Sequence, residues 1–83
     1  MPSYRVEIRA SLKAVPADTD ADLQVRIQEI ARIVGNIPPH RTGFWESVAS
    51  CLLQLDAKGW RFLHRVDSKQ RLVVVERAFF KGE

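Results

Sequence analysis

The sequence is poor in the residue types from which metal and catalytic centres are commonly built. Cys51 is the one cysteine in 83 residues. A single thiol forms no intramolecular disulfide and no cysteine-rich metal site, and it fits a reducing compartment. Long apolar runs are missing too. The longest, Leu72 to Val75, falls far short of the roughly 18 residues of a membrane span. The opening MPSYRVEIRA has no apolar stretch of the secretory type. The expectation is a cytoplasmic protein with no membrane partner. A glycine-rich phosphate loop, a serine elbow and paired carboxylates are also absent. Nothing therefore points to an enzyme, and no cofactor is implied.

Hydrophobic residues make up 46% of the chain and charged ones 28%, a balance that excludes a disordered chain. The length suits a single small domain over residues 1–83. A chain this short buries only about 60–65% of its unfolded surface, so a homodimer would be an ordinary way to gain buried area. The net charge of +3 is mildly basic, which permits contact with nucleic acid without requiring it.

Alternation is cleanest at the start. Tyr4, Val6, Ile8, Ala10 and Leu12 alternate with Arg5, Glu7, Arg9 and Ser11, the period of a half-buried strand. Val15 to Asp22 reads as a turn-rich connector in which Asp18, Thr19 or Asp20 caps a helix. From Asp20 to Gly35 the residues Leu23, Ile27, Ile30, Ala31 and Val34 form one helical stripe. A strand is the rival reading, since Leu23, Val25 and Ile27 alternate, but Glu29-Ile30 breaks that alternation. Gly35-Asn36 supplies a stop. The loop Ile37 to Gly43 holds Pro38-Pro39, which excludes helix there.

The stretch from Phe44 to Phe80 carries most of the large apolar residues. Phe44, Val48, Cys51, Leu52 and Leu55 predict a helix over 44–58, closed by Gly59 in the left-handed C′ position. Trp60 to Val66 alternates as a strand, Asp67 to Gln70 is a turn, and Arg71 to Phe80 is the partner strand. One register sets Val66 against Arg71, and hence Phe62 against Val75. The triplet Val73-Val74-Val75 implies a central strand covered on both faces. The expected fold is α+β: a three-stranded antiparallel or mixed sheet with two helices on one face, in the order β-α-α-β-β. The expected core is Val6, Ile8, Ile27, Ile30, Val48, Leu52, Leu55, Phe62, Val73 and Val75.

LLQLDAKGWRFLHRV followed by QRLVVVERAF resembles a family of short bacterial and phage proteins of unknown function. Their pattern is an aromatic-led strand, a helix ending near Gly-Trp, and a β-hairpin with a basic tail. Tyr4, Leu55, Ala57-Lys58-Gly59-Trp60 and Val73 to Arg77 match it, over about half of the chain. Asp20 to Gly43 is an insertion relative to that pattern. The resemblance implies a fold and no reaction.

Several groupings invite a chemical reading. Asp18, Asp20, Asp22 and Glu29 stand at positions 1, 3, 5 and 12 of a calcium loop, yet the turn glycine is replaced by Leu23. His40, His64 and Cys51 match no zinc spacing. Cys51 falls on the predicted core stripe and His64 beside Trp60 and Phe62, where a satisfied, half-buried histidine is expected. His40 and Arg41 beside a helix start could receive an anion. Arg5, Arg9, Arg61, Arg65 and Arg77 could share one open sheet face and hold phosphates. Val25, Ile33, Phe79 and Phe80, with Trp45, Leu53 and Leu63, exceed what two helices and three strands would bury. The first expectation is therefore a non-enzymatic protein-interaction or homo-oligomeric module. Nucleic-acid binding through the arginine face is the second, and a subunit of an enzyme complex the third.

Overall fold

The computed structural model describes residues 4–38, 40–49 and 51–82. Its elements are β1 (Arg5–Ile8), α1 (Ala17–Gly35), α2 (Thr42–Ala49), β2 (Leu53–Ala57), β3 (Trp60–Asp67) and β4 (Leu72–Phe80). They form an α+β fold with a four-stranded mixed sheet in the order β1-β4-β3-β2. β1 runs parallel to β4, and the other two pairings are antiparallel. The expected three strands thus become four, and the order becomes β-α-α-β-β-β.

The additional strand comes from the segment expected to end the second helix. Helix α2 stops at Ala49, and Leu53 to Ala57 is strand rather than helix. Leu53, Leu55 and Ala57 obey period two as well as they obey a helical stripe. Gly59 is not a helix stop. Lys58 and Gly59 have φ of 50° and 84°, both in the left-handed region, and Ala57 pairs with Trp60 across them. A two-residue hairpin loop with both φ positive is a type I′ turn. A left-handed glycine therefore serves a helix C′ and a hairpin equally well. The Leu55 to Trp60 stretch that resembled a helix end is this hairpin. Leu52 and Cys51, placed on the core stripe by helical spacing, are exposed.

Helix α1 begins at Ala17, earlier than expected, and Pro16 rather than Asp18, Thr19 or Asp20 holds the cap position. Proline suits a helix start because a free N–H is not needed there. Asp18 and Asp20 lie in the first turn instead, where the helix dipole favours negative charge. The helix ends at Gly35 as expected. Asn36 N–H donates to the Ile33 carbonyl at 3.1 Å and Ile37 N–H to Val34 at 3.2 Å, a tightened last turn.

Both helices pack into one cluster against the same sheet face. It joins Leu23, Ile27, Ala31 and Val34 of α1, Trp45 of α2, and Leu55, Ala57, Phe62, Val66, Val73 and Val75 of the sheet. Ile27, Leu55, Phe62, Val73 and Val75 were expected there; Val6, Ile8, Ile30 and Val48 pack at its margin. Each large side chain sealed in this interior contributes about 1.5–3 kcal/mol. The valine triplet is central, since β4 lies between β1 and β3. Its register differs from the expected one: Val66 faces Val73, and Phe62 faces Ala78. A bulge between Leu63 and His64 shifts the ladder.

The turn at Gly59 gives a direct test. An added Cβ there would meet the Phe80 ring at 3.0 Å, at a positive φ. Gly59→Ala is expected to lower stability by roughly 1–2 kcal/mol in urea unfolding, while Lys58→Asn, which favours the same turn, leaves it equal or higher. A Gly59→Ala protein as stable as the parent would rule out this turn geometry.

Candidate interaction surface

Strand alternation sends Arg5 and Glu7 to the sheet face opposite the helices, since Val6 and Ile8 face the core cluster. Arg61, Leu63 and Arg65 of β3 follow the same rule, because Phe62, His64 and Val66 are the buried set. The five sequence-nominated arginines are not a free cationic sheet. Arg61 grips Asp56, its directly opposed neighbour on β2, through Nε at 2.9 Å and a second nitrogen at 3.2 Å. Lys81 adds a contact to Asp56 at 3.2 Å. These bonds, Arg61 first, hold the Asp56 carboxyl down at about 2. Glu76 receives Arg65 at 3.1 Å and Arg9 at 3.8 Å, and Arg9 also pairs with Glu7 at 2.5 Å. Among the described residues, Arg5 and Arg77 carry no ion pair.

These side chains cover an apolar row. Val74 stands between Glu7 on β1 and Arg65 on β3. It is fully buried yet lies outside the core cluster that the helices join. The stems of long charged side chains seal apolar surface while their heads stay in water.

The acidic residues once aligned with a calcium loop lie on helix α1 and have separate partners. Asp18 meets Lys58 at 3.1 Å, Asp22 meets Arg26 at 3.2 Å, Asp20 accepts from Gln24, and Glu29 pairs with Arg32. Lys58 holds the Asp18 carboxyl below its usual range, as Arg32 does for Glu29.

His40 and Arg41 are exposed. The Arg41 N–H that would greet an anion donates instead to the Pro38 carbonyl at 3.2 Å. The same carbonyl accepts from Trp45 Nε1 at 3.0 Å, fixing the indole that stacks on Tyr4 at 6.0 Å. Pro39 lies outside the described residues. Beside this ring pair opens a recess of about 350 Å³, rimmed by Thr42, Glu46, Lys69 and Arg71. Sequence reading missed it, because loop and strand ends far apart in the chain build it.

His64 departs from expectation. It is only 3% exposed, and its Nδ1 has no hydrogen-bond partner among the described residues. Leu53 and Val75 flank it in the ladder. Burial pushes its pKa below the ordinary value, with the Phe62 backbone opposing.

The apolar surplus divides between solvent and core. Val25 is 70% exposed, Ile33 50%, Phe79 42% and Phe80 60%, while Trp45 is buried and Leu53 joins the core margin. Val25 and Ile33 sit on the solvent side of α1. Phe79 and Phe80 end β4, where Phe80 meets Trp60 edge to face at 5.6 Å. Leu52 and Phe44 add further exposed apolar surface.

No family model, curated protein or solved structure matches this chain.

Two measurements check this electrostatic picture. Glu76→Gln releases Arg65 and leaves Arg9 with Glu7 alone, so it should retain the fold and elute from heparin at higher salt than the parent; unchanged elution would contradict the pairing. For His64, the folded-state pKa lies below the unfolded value of about 6.5. The unfolded chain therefore binds the extra proton. Stability is full above that value and falls as pH drops below it, until the depressed folded pKa is passed. The slope is at most about 1.4 kcal/mol per pH unit. Urea midpoints between neutral pH and pH 5 should show it, and His64→Leu should flatten it.

Proposed function

We propose that this chain is a non-catalytic protein-interaction module that self-associates or docks a protein partner through exposed apolar surface. The observation that carries the reading is the pair Phe79-Phe80, exposed at 42% and 60% at the end of a strand. Aromatic side chains are costly to leave in water and are enriched at interface centres. Val25 and Ile33 on α1 add apolar surface at a second place. The small size supports the same reading, since association adds buried area that a chain of this length lacks.

Phosphate binding through the sheet arginines draws less support. Arg9, Arg61 and Arg65 are each held by a carboxylate, and a guanidinium so engaged has less charge to offer a phosphate. Arg5 and Arg77 remain for such a role.

Sedimentation velocity from micromolar to several hundred micromolar protein tests the proposal. A mass-action shift toward a larger species is expected, weakened in the double variant Phe79→Ser, Phe80→Ser. A strict monomer that also retains no partner in affinity capture would overturn it. Salt-sensitive binding of single- or double-stranded probes would instead favour the arginine face.

A further inference from the structure

The sheet has a stretch of unoccupied edge in its middle. β1 pairs only with Leu72 to Val75 of β4. Arg9 N–H and Ala10 N–H then both donate to the Val75 carbonyl, at 2.9 and 3.1 Å, and the ladder ends. Among the described residues, β4 from Glu76 to Phe80 is paired on its β3 side alone. The direction of each backbone group follows from the register. Ala57 and Trp60 close the two-residue turn, so Trp60 and Phe62 turn their N–H and C=O groups toward β2. Arg61 and Leu63 turn theirs toward β4, where they meet Phe79 and Arg77. Ala78 and Phe80 therefore point their backbone groups away from β3, to the vacant side. The Lys81 N–H, which donates to the Gly59 carbonyl at 2.9 Å, keeps this parity.

The outer edge on β2 is guarded. On β2 the outward carbonyl of Asp56 accepts from Arg26 of α1 at 3.5 Å, and the Asp56 carboxylate stands there too. Charged side chains of this kind deter edge pairing. The vacant part of β4 has exposed Phe79 and Phe80 instead.

We infer that the vacant edge of β4, Glu76 to Phe80, is the site at which a second copy of this chain adds its own β4 antiparallel. This rests on the interaction reading above and names its partner. The segment is complementary to itself. A two-fold axis at Ala78 sets Ala78 against Ala78 of the second copy as a mutually bonded pair. Arg77 then stands across from Phe79 of the second copy, twice by symmetry. Arg77 is without an ion pair among the described residues, and a guanidinium against an aromatic face is a favourable pair. Like charges do not meet in this register: Glu76 faces Phe80. A groove of about 420 Å³ between Arg9, Ser11, Glu76 and Phe79 leaves room at each end for the incoming ring. The resulting interface is short, so the dimer belongs to the weak, transient class.

The test combines one variant with one measurement on the parent. Proline at position 78 removes an N–H that faces the vacant side, so the β3–β4 ladder keeps its bonds. Ala78→Pro is expected to weaken self-association at least about tenfold, the worth of roughly one to two lost hydrogen bonds. In the parent, the Ala78 and Phe80 amides should become protected from hydrogen exchange as concentration rises, and those of Val25 and Ile33 should not. Concentration-independent exchange at Ala78 and Phe80 would overturn the inference even if Ala78→Pro failed to fold. Dimerisation that survives Ala78→Pro but is lost in Val25→Lys, Ile33→Glu would refute the edge and keep the broader interaction reading. A monomer at every concentration would refute the inference while leaving a foreign partner to carry that reading.

Discussion

Strand β4 is buried on both faces along Leu72 to Val75 and bonded on both edges over the same residues. That double demand organises the molecule. An unpaired backbone group in so dry a place would cost about 1–3 kcal/mol, so both neighbours are required there. β3 is supplied by a four-residue connection and β1 from the far end of the chain. The helices cover one face, and the other is closed without any element above it. Glu7 of β1 and Arg65 of β3 flank Val74, and long stems of this kind cover apolar surface while their charges stay in solvent.

That closure explains why the arginines face where they do. Arg9, Arg61 and Arg65 each have a carboxylate near the head. Glu76 and Asp56 provide the carboxylates, and Glu76 is shared between Arg65 and Arg9. The pairs are at least partly exposed, so each adds little stability by itself. Their effect is to neutralise a face that composition alone would describe as cationic. The chain then exposes apolar surface elsewhere, in Phe79 and Phe80 beside a strand edge that is unpaired among the described residues.

Much of the architecture was legible because short-range patterns are strong where one face is buried. The stripe through Leu23, Ile27, Ala31 and Val34 stated helix α1, and its end at Gly35 followed. Alternation through Val6 and Ile8, and through Phe62 and Val66, stated two strands. The valine triplet stated a central one. Exposure of Val25, Ile33, Phe79 and Phe80 was readable as a surplus over what the elements could bury. Illegible parts were those where one local signal serves two structures. Leu53 to Gly59 fits a helix with a glycine stop and a strand with a hairpin turn.

The amino-acid sequence by itself settled which residues repel water, with what period, and where the chain must turn, because those depend on neighbours a few positions away. It settled the α+β class on those grounds. Only the tertiary structure decided that Leu53 to Ala57 is a strand, because β3 offers it an unfilled ladder that a helix would leave empty. Only the tertiary structure decided that Arg9, Arg61 and Arg65 are paired and that β4 outruns β1. Both depend on which residues meet across the sheet, and register is a property of contacts distant in the chain.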